Sequence, residues 1–190
     1  MIKCYRKASK YYFNPYIRVI KTNEDEIKRV ISLIHESSYI IALTGAGMST
    51  ESGVPDFRGP SGLWKRVNPE YATYTFFKEH PNIFWKFYME LYKEFKDVTP
   101  NPAHYSLAEL EKLGFLKALI TQNIDGLHQK AGSSSVIELH GNLRTISCLF
   151  CRAKYNYGEV IQIIKKGGYP PKCRICGGLL KPDVVLFGEP

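Results

Sequence analysis

The sequence predicts an α/β fold, with a parallel sheet covered on both faces by helices and a small metal-binding module inserted late in the chain. Three observations carry this. Short apolar runs alternate with segments of helical period, as in strands joined by helical crossovers. A glycine turn, Gly45-Ala46-Gly47, follows the first apolar run. Two Cys-x-x-Cys pairs stand 21 residues apart.

The 190 residues are 44% hydrophobic, enough for one domain with a core and a small insert. No apolar run reaches the ~18 residues of a membrane span, so a cytoplasmic protein is expected. Residues 1–22 carry Lys3, Arg6, Lys7, Lys10, Arg18 and Lys21 without an acid. Most of the net charge of +8 is therefore assigned to this segment. Such a segment can touch nucleic acid or another acidic surface, but a solvated end is the preferred reading. It also has the charge of an organelle transit peptide, although Tyr5, Tyr11, Tyr12, Phe13 and Tyr16 are atypical of one.

Residues 23–36 predict a helix, because Ile27, Val30, Ile31 and Ile34 recur at helical spacing behind an acidic first turn. Tyr39–Leu43 predicts a buried strand, and residues 53–70 a loop rich in glycine, proline and charge. Pro81 is placed to start a helix whose stripe is Phe84, Phe87, Tyr88, Leu91, Tyr92 and Phe95. That stripe reads as core rather than as a ligand box. Asn101-Pro102 predicts the start of another helix, which Gly114 ends. Phe115–Ile120, Val136–Leu139 and Val184–Phe187 predict the second, third and fourth strands.

The glycine turn can bring the backbone close to a phosphate at the following helix, as in a Rossmann-like sheet. Residue 50 is threonine where the dinucleotide pattern has its third glycine, so an ordinary strand-to-helix turn is an even competitor. The cysteines are clearer. Cys148, Cys151, Cys173 and Cys176 form two knuckles that complete a tetrahedron around zinc. Four thiolates leave no open coordination position, so that ion would be structural. A disulfide or redox pair is the alternative, and Cys4 stands apart.

Ligands bind beyond the carboxyl ends of parallel strands. Three polar clusters are predicted there: Thr44–Gly47, Thr121–Asp125, and His140-Gly141. His140 is the natural general base, since an imidazole titrates near neutrality. Asn123 and Asp125 can also act as simple helix caps, and His140 as a core histidine. Their clustering favours a site.

These residues, taken in order, resemble the sirtuins. Gly45 to Gly59, with Pro55-Asp56-Phe57-Arg58, is similar to the sirtuin cofactor loop. Thr121 to His128, Ala131-Gly132 and Glu138-Leu139-His140-Gly141 are similar to the catalytic core. The cysteine pairs and Lys181 to Glu189 follow in the family order. The resemblance runs from about residue 24 to the end.

The resemblance implies an NAD-dependent protein lysine deacylase with a Rossmann-like sheet. It implies a division into residues 1–22, an NAD-binding domain of 23–144 with 182–190, and a zinc module of 145–181. Gly45, Ala46, Gly47, Asp56, Phe57 and Arg58 would serve the NAD pocket, with Gln122 and Asn123 at the ribose. Ile124 and Asp125 would hold the nicotinamide amide. His140, with Asn123, would be catalytic. Val185, Leu186, Phe187, Gly188 and Glu189 would bind the acyl-lysine peptide. Family members that take acidic acyl groups carry a tyrosine and, three residues on, an arginine. Here these positions are Tyr88 and Leu91, which implies acetyl or other neutral acyl groups. Acetylated proteins, basic chromatin proteins among them, are the implied partners. His104 and His128 are read as structural.

The resemblance also implies more sheet after Phe187-Gly188-Glu189, with the adenine-side contacts, and nothing here matches it. Residues 1–190 alone are expected to bind NAD weakly and to be poorly stable. An ADP-ribosyltransferase on the same scaffold and a non-catalytic binding module are the alternatives.

Overall fold

The computed structural model describes residues 23–60 and 62–190. They fall into two units, divided between Ser37 and Ser38.

The first unit contains helix α1 (Glu24–Glu36). Asn23 caps it by accepting the Asp25 amide, and Glu24, Asp25 and Glu26 oppose the positive helix end. Ile27, Val30 and Ile31 are about half exposed, and no residue of α1 is buried. The basic segment 1–22 lies outside the described residues.

In the second unit the order is β1 (Ile40–Thr44), α2 (Gly47–Thr50), α3 (Tyr74–Glu79), α4 (Pro81–Phe95), α5 (Pro102–Lys112), β2 (Leu116–Thr121), α6 (Leu127–Ala131), β3 (Val136–Glu138), β4 (Gly141–Cys148), β5 (Lys154–Asn156), α7 (Tyr157–Gly167) and β6 (Leu180–Val184). The expected loop at 53–70 also holds 3₁₀ turns at Leu63–Lys65 and Pro69–Ala72. Pro81 starts α4, where a missing amide hydrogen costs nothing. Asn101 accepts the Ala103 and His104 amides, and His104 returns a bond to the Asn101 amide.

β1, β2 and β3 form a parallel sheet in that order. Leu43 and Ile137 flank Ile120 on one face. Leu119 and Thr121 lie buried on the other, where α5 packs on β2. Cover on both faces was expected. Among the described residues the first face leaves Ile41, Leu43 and Ile137 more than half exposed.

The expected fourth strand is not in this sheet. Residues 180–184 form β6, which pairs antiparallel with β4 in a second sheet ordered β5-β4-β6. Val185 to Phe187 run on outside it, and Phe187 meets Thr73 in an isolated bridge. Gly141 permits the crossing. Its φ is +71°, and a Cβ there would collide with the Asp183 carbonyl.

The main core lies between α3, α4 and the antiparallel sheet. It joins Phe77, Phe84, Trp85 and Tyr88 to Leu143, Ile146, Val160 and Leu180. Trp85 Nε1 donates to the Leu180 carbonyl at 3.0 Å, and Tyr88 Oη to the Leu143 carbonyl at 2.9 Å. Both polar tips are thus satisfied inside an apolar region.

Candidate active site

A cavity of about 360 Å³ opens where the two sheets meet. The strand ends give it Ala46, Gln122, Asn123, Ile124 and His140; the loop after α2 gives Phe57 and Arg58; the last residues give Val185, Leu186 and Phe187. These are the predicted residues that the fold brings to one space. Phe84, Phe87, Tyr88 and Leu91 of α4 also line it. The α4 stripe is therefore both core and cavity wall.

His140 is exposed, and its Nδ1 lies 3.0 Å from the Gln122 carbonyl. A carbonyl only accepts, so Nδ1 carries the hydrogen, and in the neutral ring Nε2 holds the lone pair. Asn123 donates through Nδ2 to the Gly45 carbonyl and Ser49 Oγ, and no described residue donates to its Oδ1. Its own amide donates to Thr121 Oγ1. That oxygen also accepts from Thr44 Oγ1, which lies 2.9 Å from His128 Nε2. A chain of hydroxyls thus ties the ends of β1 and β2 together and fixes Asn123.

Other predicted residues lie outside the cavity lining. Asp56 Oδ1 accepts the Gly59 amide and braces the loop that carries Phe57. Trp64 extends this brace: its ring stands 5.3 Å from Phe57 and 6.2 Å from Phe187. Asp125 faces the protein, accepting Ser49 Oγ at 2.7 Å and the Leu127 amide at 2.9 Å. Space beyond Gly47 is open, and a Cβ on Gly45 would meet only Gln122 at 3.9 Å. Glu189 turns inward, to the Leu186 amide and to Lys181 at 3.0 Å. Gly188 is exposed beside it.

Behind the cavity stand further residues, of which sequence reasoning did not select Ser49. His104 lies 3.5 Å from Ser49 Oγ, and its ring centroid is 4.8 Å from that of His128. Burial pushes both imidazoles down, His128 to about 4, with Asp125 opposing the shift. Both are therefore neutral near pH 7. His128 Nδ1 is buried with no partner among the described residues. Thr44 and Thr121, marked in sequence only as polar strand ends, bond to each other across 77 residues, and Ser49, which nothing local marks, bonds to Asp125 across 76.

The four cysteine sulfurs lie within 4.8 Å of one another. Cys148 and Cys176 are 3.5 Å apart, and Cys151 and Cys173 3.6 Å. All four are free thiols, not disulfides. Zn–S bonds of ~2.3 Å at tetrahedral angles put sulfurs ~3.8 Å apart, so the set fits zinc. Burial opposes ionisation of Cys173. Hydrogen bonds from Tyr155 Oη and from the Cys176 and Ile175 amides outweigh it and pull that thiol down to about 6. Cys148 is lowered as well. At Cys151 the Ala153 amide favours the thiolate, but hydrogen bonds with the other cysteines and burial outweigh it and push the thiol up to about 12. Part of the set thus favours thiolate, the form that holds a metal.

The sequence model of the Sir2 family matches residues 45–190. An NAD-dependent protein deacetylase of Sulfurisphaera tokodaii is 56% identical over 87% of this chain and 66% of its own length. A protein of the same description from Saccharolobus solfataricus is 55% identical over 86% and 66%. The chain thus spans just under two thirds of these relatives. Among solved structures, "Sir2-p53 peptide-NAD+" aligns at a TM-score of 0.78 with 43% identity, over 86% of this chain and 65% of that one. "Sir2 bound to acetylated peptide" aligns at 0.77 with 40% identity over the same shares. The parallel sheet, the cysteine cluster and the polar strand ends meet a match over most of the chain, and the chain belongs to the Sir2 family.

Proposed function

We propose that the chain is the catalytic part of an NAD-dependent protein lysine deacetylase, giving nicotinamide, O-acetyl-ADP-ribose and free lysine. His140 carries the reading. Its Nε2 keeps a lone pair in a cavity that also holds Asn123 and the Val185–Phe187 segment. Bound NAD, a consumed co-substrate, would supply an electrophilic ribose carbon.

The residues then divide the work. Ala46, Phe57, Arg58 and Gln122 enclose the NAD, with the Gly45–Gly47 turn open to its phosphates. Asn123 Oδ1 accepts from the ribose. Ile124 walls the nicotinamide subsite, and Asp125 holds its shape through Ser49. Val185 to Glu189 align the peptide, Phe187 nearest the acyl chain. The cavity would hold the acyl-lysine oxygen in line to displace nicotinamide, and His140 Nε2 would then take the proton from the ribose hydroxyl that attacks the acyl carbon. The apolar wall from α4 excludes water. Zinc at the four cysteines would hold the module, residues 145–181, against residues 23–144 and 182–190.

Neutral acyl groups fit this wall. Tyr88 Oη is already given to the Leu143 carbonyl, and burial pushes its phenol well up. Residue 91 is leucine, so α4 offers a carboxylated chain no cation. Acetylated proteins are the substrates this supports.

The test is nicotinamide release from NAD and an acetyl-lysine peptide, beside His140→Ala. Peptide-dependent release is expected, with deacetylation lowered about 10²- to 10⁴-fold in the variant. Equal turnover by the variant, or added ADP-ribose mass on the peptide in place of lost acetyl mass, overturns it.

A further inference from the structure

The tip of the cysteine module has no part in the cavity. Phe150 is 83% exposed and Ile175 76%, the two highest values for large hydrophobic residues among those described. Each sits between the cysteines of one pair, and the four sulfurs lie within 4.8 Å. Phe150 Cβ is 3.2 Å from where a Cβ on Gly178 would stand. The two knuckles therefore present Phe150 and Ile175 at one end of the module.

Charge gathers at the same place. Residues 145–181 hold seven basic side chains and one acid, Glu159; residues 23–144 with 182–190 hold thirteen basic and seventeen acidic ones. The net +8 thus comes from the module as much as from residues 1–22, a correction to the expectation that it belongs mostly to the latter. Arg152, Lys154, Lys172 and Arg174 flank the tip, all exposed, and none forms an ion pair among the described residues. Four thiolates around one zinc ion carry a net charge of about −2, so the module stays positive.

We propose that this tip binds single-stranded nucleic acid, with a base stacked on Phe150 and the phosphates along Arg152, Arg174, Lys154 and Lys172. An unpaired nucleotide offers a π face and a phosphate together, and a ring flanked by guanidinium groups matches both. A duplex hides its base faces. An acidic polypeptide carries the charge without the ring. The cavity would remain open, because neither tip residue lines it.

The test is fluorescence anisotropy of the full, zinc-loaded chain with a labelled oligothymidylate. A duplex of equal length, anionic phosphatidylserine vesicles and poly-glutamate are the comparators. The single strand should bind tightest. With about four phosphates engaged, affinity should fall about 50-fold between about 50 and about 200 mM salt. Phe150→Ala should weaken binding about 10-fold, and Arg152→Glu with Arg174→Glu should abolish most of it, at unchanged zinc content and melting temperature. Undiminished affinity in these variants would place binding elsewhere, on residues 1–22, and overturn the proposal. So would duplex binding of equal strength, or a preference for vesicles or poly-glutamate.

Discussion

The antiparallel sheet and the parallel sheet are held by different means. Around β4, β5 and β6 the apolar residues are enclosed: Ile146, Leu180 and Val160 are fully buried, as are Phe77 and Trp85 from α3 and α4. The parallel sheet contributes no residue to that main cluster. It encloses Leu116 and Leu119, while Ile41 and Leu43 stand 55% and 65% exposed. Its strand ends are fixed instead by hydroxyls and amides, from Thr44 through Thr121 to Asn123. The cavity lies where the two meet. Its polar residues come from the hydrogen-bonded side, and its apolar wall from the packed one. Geometry at the polar end of the cavity therefore depends on a few directed bonds, and at the apolar end on bulk packing.

The largest effect should come from the metal. Stripping zinc with a chelator should unfold the antiparallel half, since structural zinc contributes on the order of 10 kcal/mol. Zinc release and loss of the melting transition should coincide. A melt unchanged without zinc would mean that the aromatic core alone holds β4–β6. Next comes Trp85→Ala. It opens a cavity at a fully buried site and orphans the Leu180 carbonyl, so chemical denaturation should show a loss of about 3–5 kcal/mol. A loss under about 1 kcal/mol would erase the contrast between the halves.

The sequence made the two chemical centres legible and left their surroundings dark. Cysteine spacing carries its own geometry, so the module was readable without a fold. His140 and Asn123 stood out because polar residues ended apolar runs. Val184 to Phe187 looked like another parallel strand because an apolar run does not name its partner. Gly141, which has no Cβ to collide with the Asp183 carbonyl, lets β4 and β6 cross closely into a second sheet, and that approach joins residues 42 positions apart. Helix α3 (Tyr74–Glu79), only six residues long, gave no period to read. Ser49 lay in plain view beside the glycine turn, yet its partner, Asp125, is 76 residues away.

The hydrogen-bonded side should also be the acid-sensitive one. His128 is held near 4, against an ordinary value of 6.5, and His104 is lowered too. In the fold both stay neutral where the unfolded chain takes up protons. Stability from this source is complete above about pH 6.5 and is lost as pH falls toward 4. The slope approaches about 1.4 kcal/mol per pH unit for His128, and His104 adds in the same direction. His128→Gln should flatten it in denaturation measured between those limits. An equally steep loss in the variant would assign the acid sensitivity to other groups.

The smallest effect is predicted at the bare face, and it tests the comparison most directly. Leu43 lies on β1, an edge strand of the parallel sheet, and were its face buried a charge there would cost several kcal/mol through desolvation. It is nevertheless 65% exposed, beside Ile41 on the same face. If the face is open in solution, Leu43→Lys replaces wetted carbon with a solvated ammonium. Stability should then change by no more than about 0.5 kcal/mol. Tyr39 and Ile137, also more than half exposed, add to the open apolar area, so an apolar-binding dye should fluoresce with the parent chain and less with the variant. A loss of about 2 kcal/mol or more would mean that this face is covered in solution. The difference between the two sheets would then belong to the isolated chain rather than to the protein at working concentration.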